Sequence, residues 1–162
     1  MKHALIVDDS QSWNNYHCQN LAQIYREEIE IDRAYTAREG YDWVYNYIDN
    51  PYDLIITDLS MENDFAPKFA GEWLVEQIKL LKQYYKTRIV IISGSMAIKQ
   101  IAEDLGVDYI PKYVVASDIS VYKNLNFWGK EFLRNIANFD RVFYLSCFFC
   151  RHNGITNILR CI

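Results

Sequence analysis

The stretch ALIVDDS, residues 4–10, joins an apolar run directly to two adjacent carboxylates. Its first four residues are all apolar, which is typical of a strand covered on both faces, as in a parallel sheet. Asp8 and Asp9 follow at once, and neighbouring carboxylates repel each other. A helix N-cap would account for one of them, although Ser10 can serve that purpose as well. The second carboxylate therefore indicates a binding function at the end of this strand.

Further short runs rich in Ile, Val or Leu, several of them apolar on consecutive positions, recur along the chain and alternate with segments of helical spacing. The predicted strands are Ala4–Val7, Ile29–Ala34, Leu54–Thr57, Arg88–Ile92 and Val107–Ile110. The predicted helices are Ser10–Arg26, Thr36–Ile48, Gly71–Tyr85, Met96–Leu105 and a last helix near Phe127–Ile136. This alternation predicts an α/β fold with a doubly wound parallel sheet and right-handed crossovers.

Length, composition and charge exclude several classes of protein. The chain has 162 residues, of which 51% are hydrophobic and 23% charged, as expected for one globular domain. A net charge of −4 argues against direct nucleic-acid binding, which depends on clustered basic residues. We expect no signal peptide and no membrane span, because the apolar stretch Val142–Cys150 is too short to cross a bilayer. Four cysteines are too few for a disulfide framework, so we expect a reducing, cytoplasmic location.

Residues that can carry chemistry collect at the carboxyl ends of the predicted strands. Asp58 follows the third strand, Ser93 the fourth and Lys112 the fifth. Since the ends of parallel strands meet at one edge, these groups should lie beside Asp8 and Asp9. Three carboxylates need a counter-charge, and Mg²⁺ prefers such oxygen ligands. A lysine and a hydroxyl would complete a phosphoryl site, in which one carboxylate becomes an acyl phosphate.

Four motifs in order, IVDDS, IITDLSM, IISGS and DYIPK, resemble the receiver domain of two-component response regulators. The resemblance is to stand-alone receivers similar to the chemotaxis regulators, and it covers residues 1–137. It implies a flavodoxin-like fold, with a five-stranded parallel sheet of order 2-1-3-4-5 and helices on both faces. Residues 138–162 would then be an apolar C-terminal extension of unknown role.

The resemblance implies a role for each residue that matches a motif. Asp58 would be the phosphoacceptor. Asp8 and Asp9 would bind Mg²⁺ together with Asp58 and the backbone carbonyl of Ser60. Lys112 would pair with the phosphoryl group.

Other matching positions would belong to the switch and to the output of the domain. Ser93 would bind the phosphoryl group and move together with Tyr109, and this would reshape the face formed by the fourth helix, fifth strand and fifth helix. Ser60 and Ser95 would tune the lifetime of the acyl phosphate. The partners implied are a histidine kinase or histidine phosphotransfer protein and a downstream protein target, and homodimerisation stays open.

The sequence departs from the family pattern at three places. Tyr113 follows Lys112 where the family usually has proline, often after a cis bond, and a cis bond before another residue costs about 2.5–4 kcal/mol. The family pattern therefore does not determine where the Lys112 side chain points, although Pro111 stiffens the approach. The loop at 59–71 is longer than usual, which would allow it to cover the site or contact a partner. The stretch at 113–126 is also long.

Two other function classes remain open beside a phosphorylated receiver. One is a pseudo-receiver, an interaction module that keeps the fold without phosphorylation. The other is a phosphohydrolase of the haloacid dehalogenase type, which would need a second aspartate where Ser60 stands. The receiver interpretation predicts no enzyme activity beyond slow autodephosphorylation.

The C-terminal segment and two histidines receive no functional assignment. A zinc site in the segment would need four well-spaced ligands, and only the first pair has suitable spacing. An apolar extension that packs on the domain or on a second copy is the simpler interpretation. The ligands that such a zinc site would require are Cys147, Cys150, His152 and Cys161. His3 and His17 have no evident partners by spacing.

Overall fold

The structure, a computed structural model, describes residues 1–125 and contains one five-stranded parallel sheet in that range. The strands are β1 (Lys2–Val7), β2 (Ile29–Ala34), β3 (Leu54–Thr57), β4 (Arg88–Ser93) and β5 (Asp108–Pro111). Their order is β2-β1-β3-β4-β5, and every neighbouring pair is parallel. The predicted flavodoxin-like fold class and all five predicted strands are thereby confirmed.

Helices connect the strands as the spacing predicted, with local differences at their ends. The helices are α1 (Gln11–Tyr25), α2 (Ala37–Asn46), α3 (Ala70–Leu80), α4 (Ile98–Leu105) and α5 (Lys112–Ser117). Short 3-10 helices cover Arg26–Glu28, Asn63–Phe65, Lys82–Tyr84 and Ile119–Asn124. Ser10 and Thr36 cap α1 and α2 with their hydroxyls, as N-cap residues do. Gly106 ends α4 with a φ of 63°, a conformation that favours glycine.

Two of the sequence predictions for helices differ from the structure. The predicted helix Gly71–Tyr85 ends at Leu80 and is followed by a 3-10 turn. The short helix α5, which begins at Lys112 itself, was not predicted. The predicted helix near Phe127–Ile136, the domain boundary after residue 137 and the whole extension 138–162 lie outside the described residues. Within residues 1–125, no helix has the length and apolar character that a membrane span requires.

The core lies on both faces of the sheet, as continuous apolar strands require. Leu5 and Val7 of β1 belong to a buried cluster with α2, α3 and α4. Ala4 and Ile6 point the other way along the same strand and are equally buried. On that second side, α1 packs against the 3-10 helix Ile119–Asn124.

The register of the strands positions the candidate site. Val7 pairs with Thr57, so the residues that follow β1 and β3 lie next to each other. Ser93 pairs with Pro111, which places the residue after β5 at the same edge. The carboxyl ends of β1, β3, β4 and β5 therefore meet where the sequence predicted a phosphoryl site.

Candidate functional site

Three carboxylates meet at the carboxyl edge of the sheet. Asp8, Asp9 and Asp58 each offer an oxygen, and these oxygens all lie within 4.8 Å of one another. Asp8 and Asp58 are buried, whereas Asp9 is exposed. The backbones of Asp8 and Asp58 continue the sheet, since the Asp8 N–H donates to the Ala34 carbonyl at 3.2 Å and the Asp58 N–H to the Val7 carbonyl at 2.9 Å. The cluster is thus rigid on its buried side and open to solvent at Asp9.

Asn14, which no sequence motif indicated, holds the backbone at the end of β1. Its side-chain amide donates to the carbonyl of Asp8 at 3.3 Å and to that of Ala34 at 2.9 Å. Its amide oxygen accepts from Arg33 Nε at 2.7 Å. Asn14 is fully buried, and buried amides need such partners. The first turn of α1 therefore fixes where Asp8 and Asp9 stand.

The Asp58 carboxylate is fixed by one donor at each oxygen. Oδ1 accepts from the N–H of Leu59 at 2.7 Å, and Oδ2 accepts from Lys112 Nζ at 2.8 Å. Helix α3 lies directly against the Asp58 backbone, because a Cβ added to Gly71 would stand 1.8 Å from the Asp58 carbonyl oxygen. Only glycine allows this approach, so Gly71 is a further residue that shapes the site.

Lys112 reaches the carboxylates even though tyrosine, not proline, follows it. Its ammonium lies 2.8 Å from Asp8 Oδ2 and 2.8 Å from Asp58 Oδ2. The Lys112–Tyr113 peptide bond is not cis, and Lys112 opens α5 directly after Pro111. The ammonium also lies 5.1 Å from the centre of the Trp13 ring, within the range of a cation–π contact. The aim of the lysine therefore does not depend on the missing proline.

Burial and charge at the cluster oppose each other. Burial raises the pKa of Asp8, and the neighbouring Lys112 ammonium offsets that rise only in part. Burial by itself would lower the pKa of Lys112, but its hydrogen bonds with Asp58 and Asp8 raise it instead. Lys112 therefore stays protonated, and one ammonium faces three carboxylates. This excess of negative charge and the all-oxygen donor set suit a hard divalent cation.

The structure places the predicted switch residues near the same edge or in the core behind it. Ser93 ends β4, is buried, and accepts from the Ser95 N–H at 3.3 Å. The Ser95 hydroxyl accepts from the Ala97 N–H at 3.2 Å. Tyr109 is buried in the core cluster with α4, and Ser60 is exposed. Their switching and lifetime-tuning roles stay predictions.

The long loop after Asp58 packs against α2 and α3. The Glu62 carboxylate accepts from the Ala37 N–H at 2.9 Å, at the N-terminus of α2, where a negative charge is favourable. Phe65 packs against Trp73 with ring centres 4.7 Å apart, and the Arg38 guanidinium lies 4.7 Å from the centre of the Phe65 ring. The loop therefore has a defined docking place beside the site.

His17 lies next to the acidic cluster, although its spacing in the sequence indicated no partner. Its imidazole is buried on α1, and Nε2 lies 3.9 Å from Asp8 Oδ2. Nδ1 is 2.5 Å from the hydroxyl of Tyr122. Because His17 and Tyr122 lie far apart along the chain, no spacing rule connects them, and only the fold reveals their contact.

Comparison with solved structures identifies the fold of this arrangement. A response regulator receiver domain protein from Clostridium thermocellum matches with a TM-score of 0.58 and 24% identity, over 76% of this chain and 92% of its own. The chain has the receiver fold. The phosphorylated cyanobacterial phytochrome response regulator RcpA matches with a TM-score of 0.64 and 20% identity, over 76% of this chain and 90% of its own. The Mn²⁺-bound response regulator Rcp1 matches with a TM-score of 0.60 and 15% identity, over 82% of this chain and 96% of its own.

Sequence comparisons add no closer relative. No protein-family model matches the chain, and no curated protein matches it. The receiver fold therefore rests on three-dimensional similarity, and the roles of its residues are argued from their geometry.

Proposed function

We propose that this chain is a phosphorylatable response regulator receiver that accepts a phosphoryl group on Asp58 from a histidine kinase or a histidine phosphotransfer protein. One observation carries the proposal. Lys112 Nζ lies 2.8 Å from the Asp58 carboxylate, within a cluster that also contains Asp8 and Asp9. A buried acceptor, a cationic partner and two further carboxylates at the carboxyl edge of a receiver fold are the parts that phosphoryl transfer needs.

The transfer converts one Asp58 oxygen into an acyl phosphate. The oxygen attacks the phosphorus of a phosphohistidine, a new O–P bond forms, and the P–N bond breaks with its electron pair on the imidazole nitrogen. Leu59 keeps the carboxylate in place through its N–H, which donates to Oδ1. Lys112 is placed to follow the charge onto the phosphoryl oxygens, where a charge-assisted hydrogen bond is strongest.

Mg²⁺ is the cation that this donor set fits. Asp8, Asp9 and Asp58 would hold it, with the backbone carbonyl of Ser60 as a further ligand. A cation bound there neutralises carboxylate and phosphoryl charge at the same time. The excess of three carboxylates over one ammonium is the observation that favours it.

The output of this receiver is a protein contact on the face that α4 and β5 would form with the predicted fifth helix near Phe127–Ile136, which lies outside the described residues. Ser93 and Tyr109 would switch together and Ser60 and Ser95 would tune the lifetime of the phosphoryl group. Tyr113, which follows β5 closely and is 52% exposed, is an apolar residue that a downstream protein can cover. We propose a cytoplasmic site of action, no direct contact with nucleic acid, and no catalysis beyond slow autodephosphorylation.

A pseudo-receiver is the second candidate, and Lys112 is the observation that favours it. Its ammonium already bridges Asp8 and Asp58, so both buried carboxylates have a cationic partner without a metal ion. A protein that used this bridge permanently would keep the fold as an interaction module.

Incubation with acetyl phosphate and Mg²⁺, followed by intact-protein mass spectrometry, tests these alternatives. We expect one added phosphoryl group that is labile to base and lost on removal of Mg²⁺. Asp58→Asn should remove it, and Asp53→Asn, a carboxylate at the opposite end of β3, is the matched control that should keep it. No adduct from acetyl phosphate or from any phosphohistidine donor would favour the pseudo-receiver. Continuous release of phosphate from small phosphoesters would instead favour the phosphohydrolase.

A further inference from the structure

His17 is a buried polar group that the proposed phosphoryl transfer does not use. Only 1% of its surface is exposed, and within residues 1–125 its Nε2 has no hydrogen-bond partner. The carboxylate oxygen Asp8 Oδ2 lies 3.9 Å from Nε2, just outside hydrogen-bond distance. A buried ring nitrogen that faces a carboxylate without bonding it is unusual, because buried polar groups are normally paired.

The surroundings of the ring select one protonation state. Burial lowers the pKa of His17 to about 4, so the imidazole is neutral near pH 7 and carries one N–H. A lone pair at Nε2 would face the Asp8 carboxylate and repel it, whereas an N–H there would be attracted. The favoured arrangement is therefore Nε2–H toward Asp8, with the Tyr122 hydroxyl donating to Nδ1 at 2.5 Å.

The position of Lys112 explains why His17 Nε2 and Asp8 Oδ2 are too far apart for a hydrogen bond. The same oxygen, Asp8 Oδ2, lies 2.8 Å from Lys112 Nζ, and the carboxylate is drawn to the full charge of the ammonium. A divalent cation among the three carboxylates repels that ammonium, and so does any movement of Lys112 toward a phosphoryl group. Asp8 Oδ2 then loses the ammonium, and His17 Nε2, which lies 3.9 Å away, is placed to donate to it instead.

We propose that His17 is a positioning residue for the acidic cluster: it donates its Nε2–H to Asp8 when a bound cation displaces Lys112, and Tyr122 aims it. The proposal rests on the cation binding that the proposed function includes. Residues that hydrogen-bond to a metal ligand and thereby orient it commonly change metal affinity by about 10–100-fold. The outer partner here comes from the 3-10 helix Ile119–Asn124, on the opposite side of the imidazole from Asp8.

Coupling of this kind is reciprocal. If Tyr122 strengthens cation binding through His17, cation binding must stabilise the helix Ile119–Asn124 by the same factor. Cation binding at the acidic cluster would then change the stability of a second segment, which is distinct from the face that contains Tyr109.

Titration of the full-length chain with Mg²⁺ by isothermal titration calorimetry tests the proposal. Tyr122→Phe removes only the hydroxyl that aims His17, and we expect it to weaken Mg²⁺ binding by about 10-fold. Tyr25→Phe is the matched control, because the Tyr25 hydroxyl donates to the Tyr122 carbonyl at 3.2 Å and does not bond His17. It should leave the affinity within about two-fold, a change too small for an outer metal partner.

A second pair of variants keeps the test valid if Tyr122→Phe disturbs the packing. His17→Leu should weaken Mg²⁺ binding, and His17→Gln, which retains an N–H near the position of Nε2, should restore most of it. Hydrogen exchange should slow at residues 119–124 of the wild type on addition of Mg²⁺, and not in Tyr122→Phe. Equal Mg²⁺ affinity in wild type, Tyr122→Phe and His17→Leu would overturn the role of His17. Absence of Mg²⁺ binding in the wild type would instead overturn the proposed function on which it rests.

Discussion

Replacement of Gly71 by alanine should force α3 away from the phosphoacceptor. The new Cβ would stand 1.8 Å from the Asp58 carbonyl oxygen and 2.9 Å from the Leu59 Cα, and both are backbone atoms. Carbon–oxygen contacts settle at about 3.3 Å or more, so helix and loop must separate by about 1.5 Å. We expect about 3 kcal/mol of strain, the upper part of the range for overpacked interiors. Alanine recovers about 1 kcal/mol of helix propensity, which leaves a net loss of about 2 kcal/mol.

The same displacement should also slow the phosphorylation of Asp58. A shift of about 1 Å in a reacting group can cost about 10²-fold in rate, and the shift here falls on the backbone of Asp58 itself. Urea unfolding followed by circular dichroism measures the stability, and the acetyl phosphate reaction measures the rate. Gly94→Ala is the matched control, since a Cβ there meets nothing within 4 Å. Wild-type stability together with a wild-type rate in Gly71→Ala would show that the close approach of α3 does not position Asp58.

Three further predictions follow from other contacts of the site and core. In the absence of Mg²⁺, Lys112→Met should lower the free energy of unfolding by about 3 kcal/mol, because Asp8 and Asp58 lose their counter-charge. Addition of Mg²⁺ should then stabilise this variant more than it stabilises the wild type. Asn14→Ala should cost about 2–3 kcal/mol in urea unfolding, since two strand-end carbonyls lose a donor. Burial raises the pKa of Tyr84 to about 12, while an unfolded tyrosine ionises near pH 10, so its contribution should be lost between these values. The stability gap between wild type and Tyr84→Phe should accordingly shrink from pH 9 to pH 12, and a constant gap would contradict this origin.

The strands were predictable because each carries its own signal. A run such as Leu54–Ile56 is apolar at every position, as is typical of strands covered on both faces of a parallel sheet. The order of the strands was not in these runs, and it came from the resemblance to receiver domains. Asp8, Asp58 and Lys112 were found for a related reason, since residues directly after strands must meet at one edge of a parallel sheet.

The residues that prediction missed act through contacts that are distant in sequence. Asn14 and His17 lie on one helix, and a polar residue on a helix is ordinarily a solvated one. Their meaning depends on the carbonyl of Ala34 and the hydroxyl of Tyr122, which the fold brings to them. The sequence predicts Gly71 only as the start of a helix, because local sequence does not indicate how closely the Asp58 backbone approaches it.

The position of α5 shows how the site itself can determine local structure. A lysine in the first turn of a helix opposes the helix dipole, and local propensity therefore disfavours a helix that begins at Lys112. Two carboxylates at 2.8 Å from its ammonium outweigh this cost, since each is a charge-assisted contact in a largely buried place. The same contacts direct the side chain, a task that the cis bond before proline would otherwise share. Because the carboxylates directly follow β1 and β3, sequence near Lys112 contains no signal for α5. The start of this helix is thus set by the acidic cluster, and removal of Lys112 from that cluster by a cation or a phosphoryl group would release the constraint on α5.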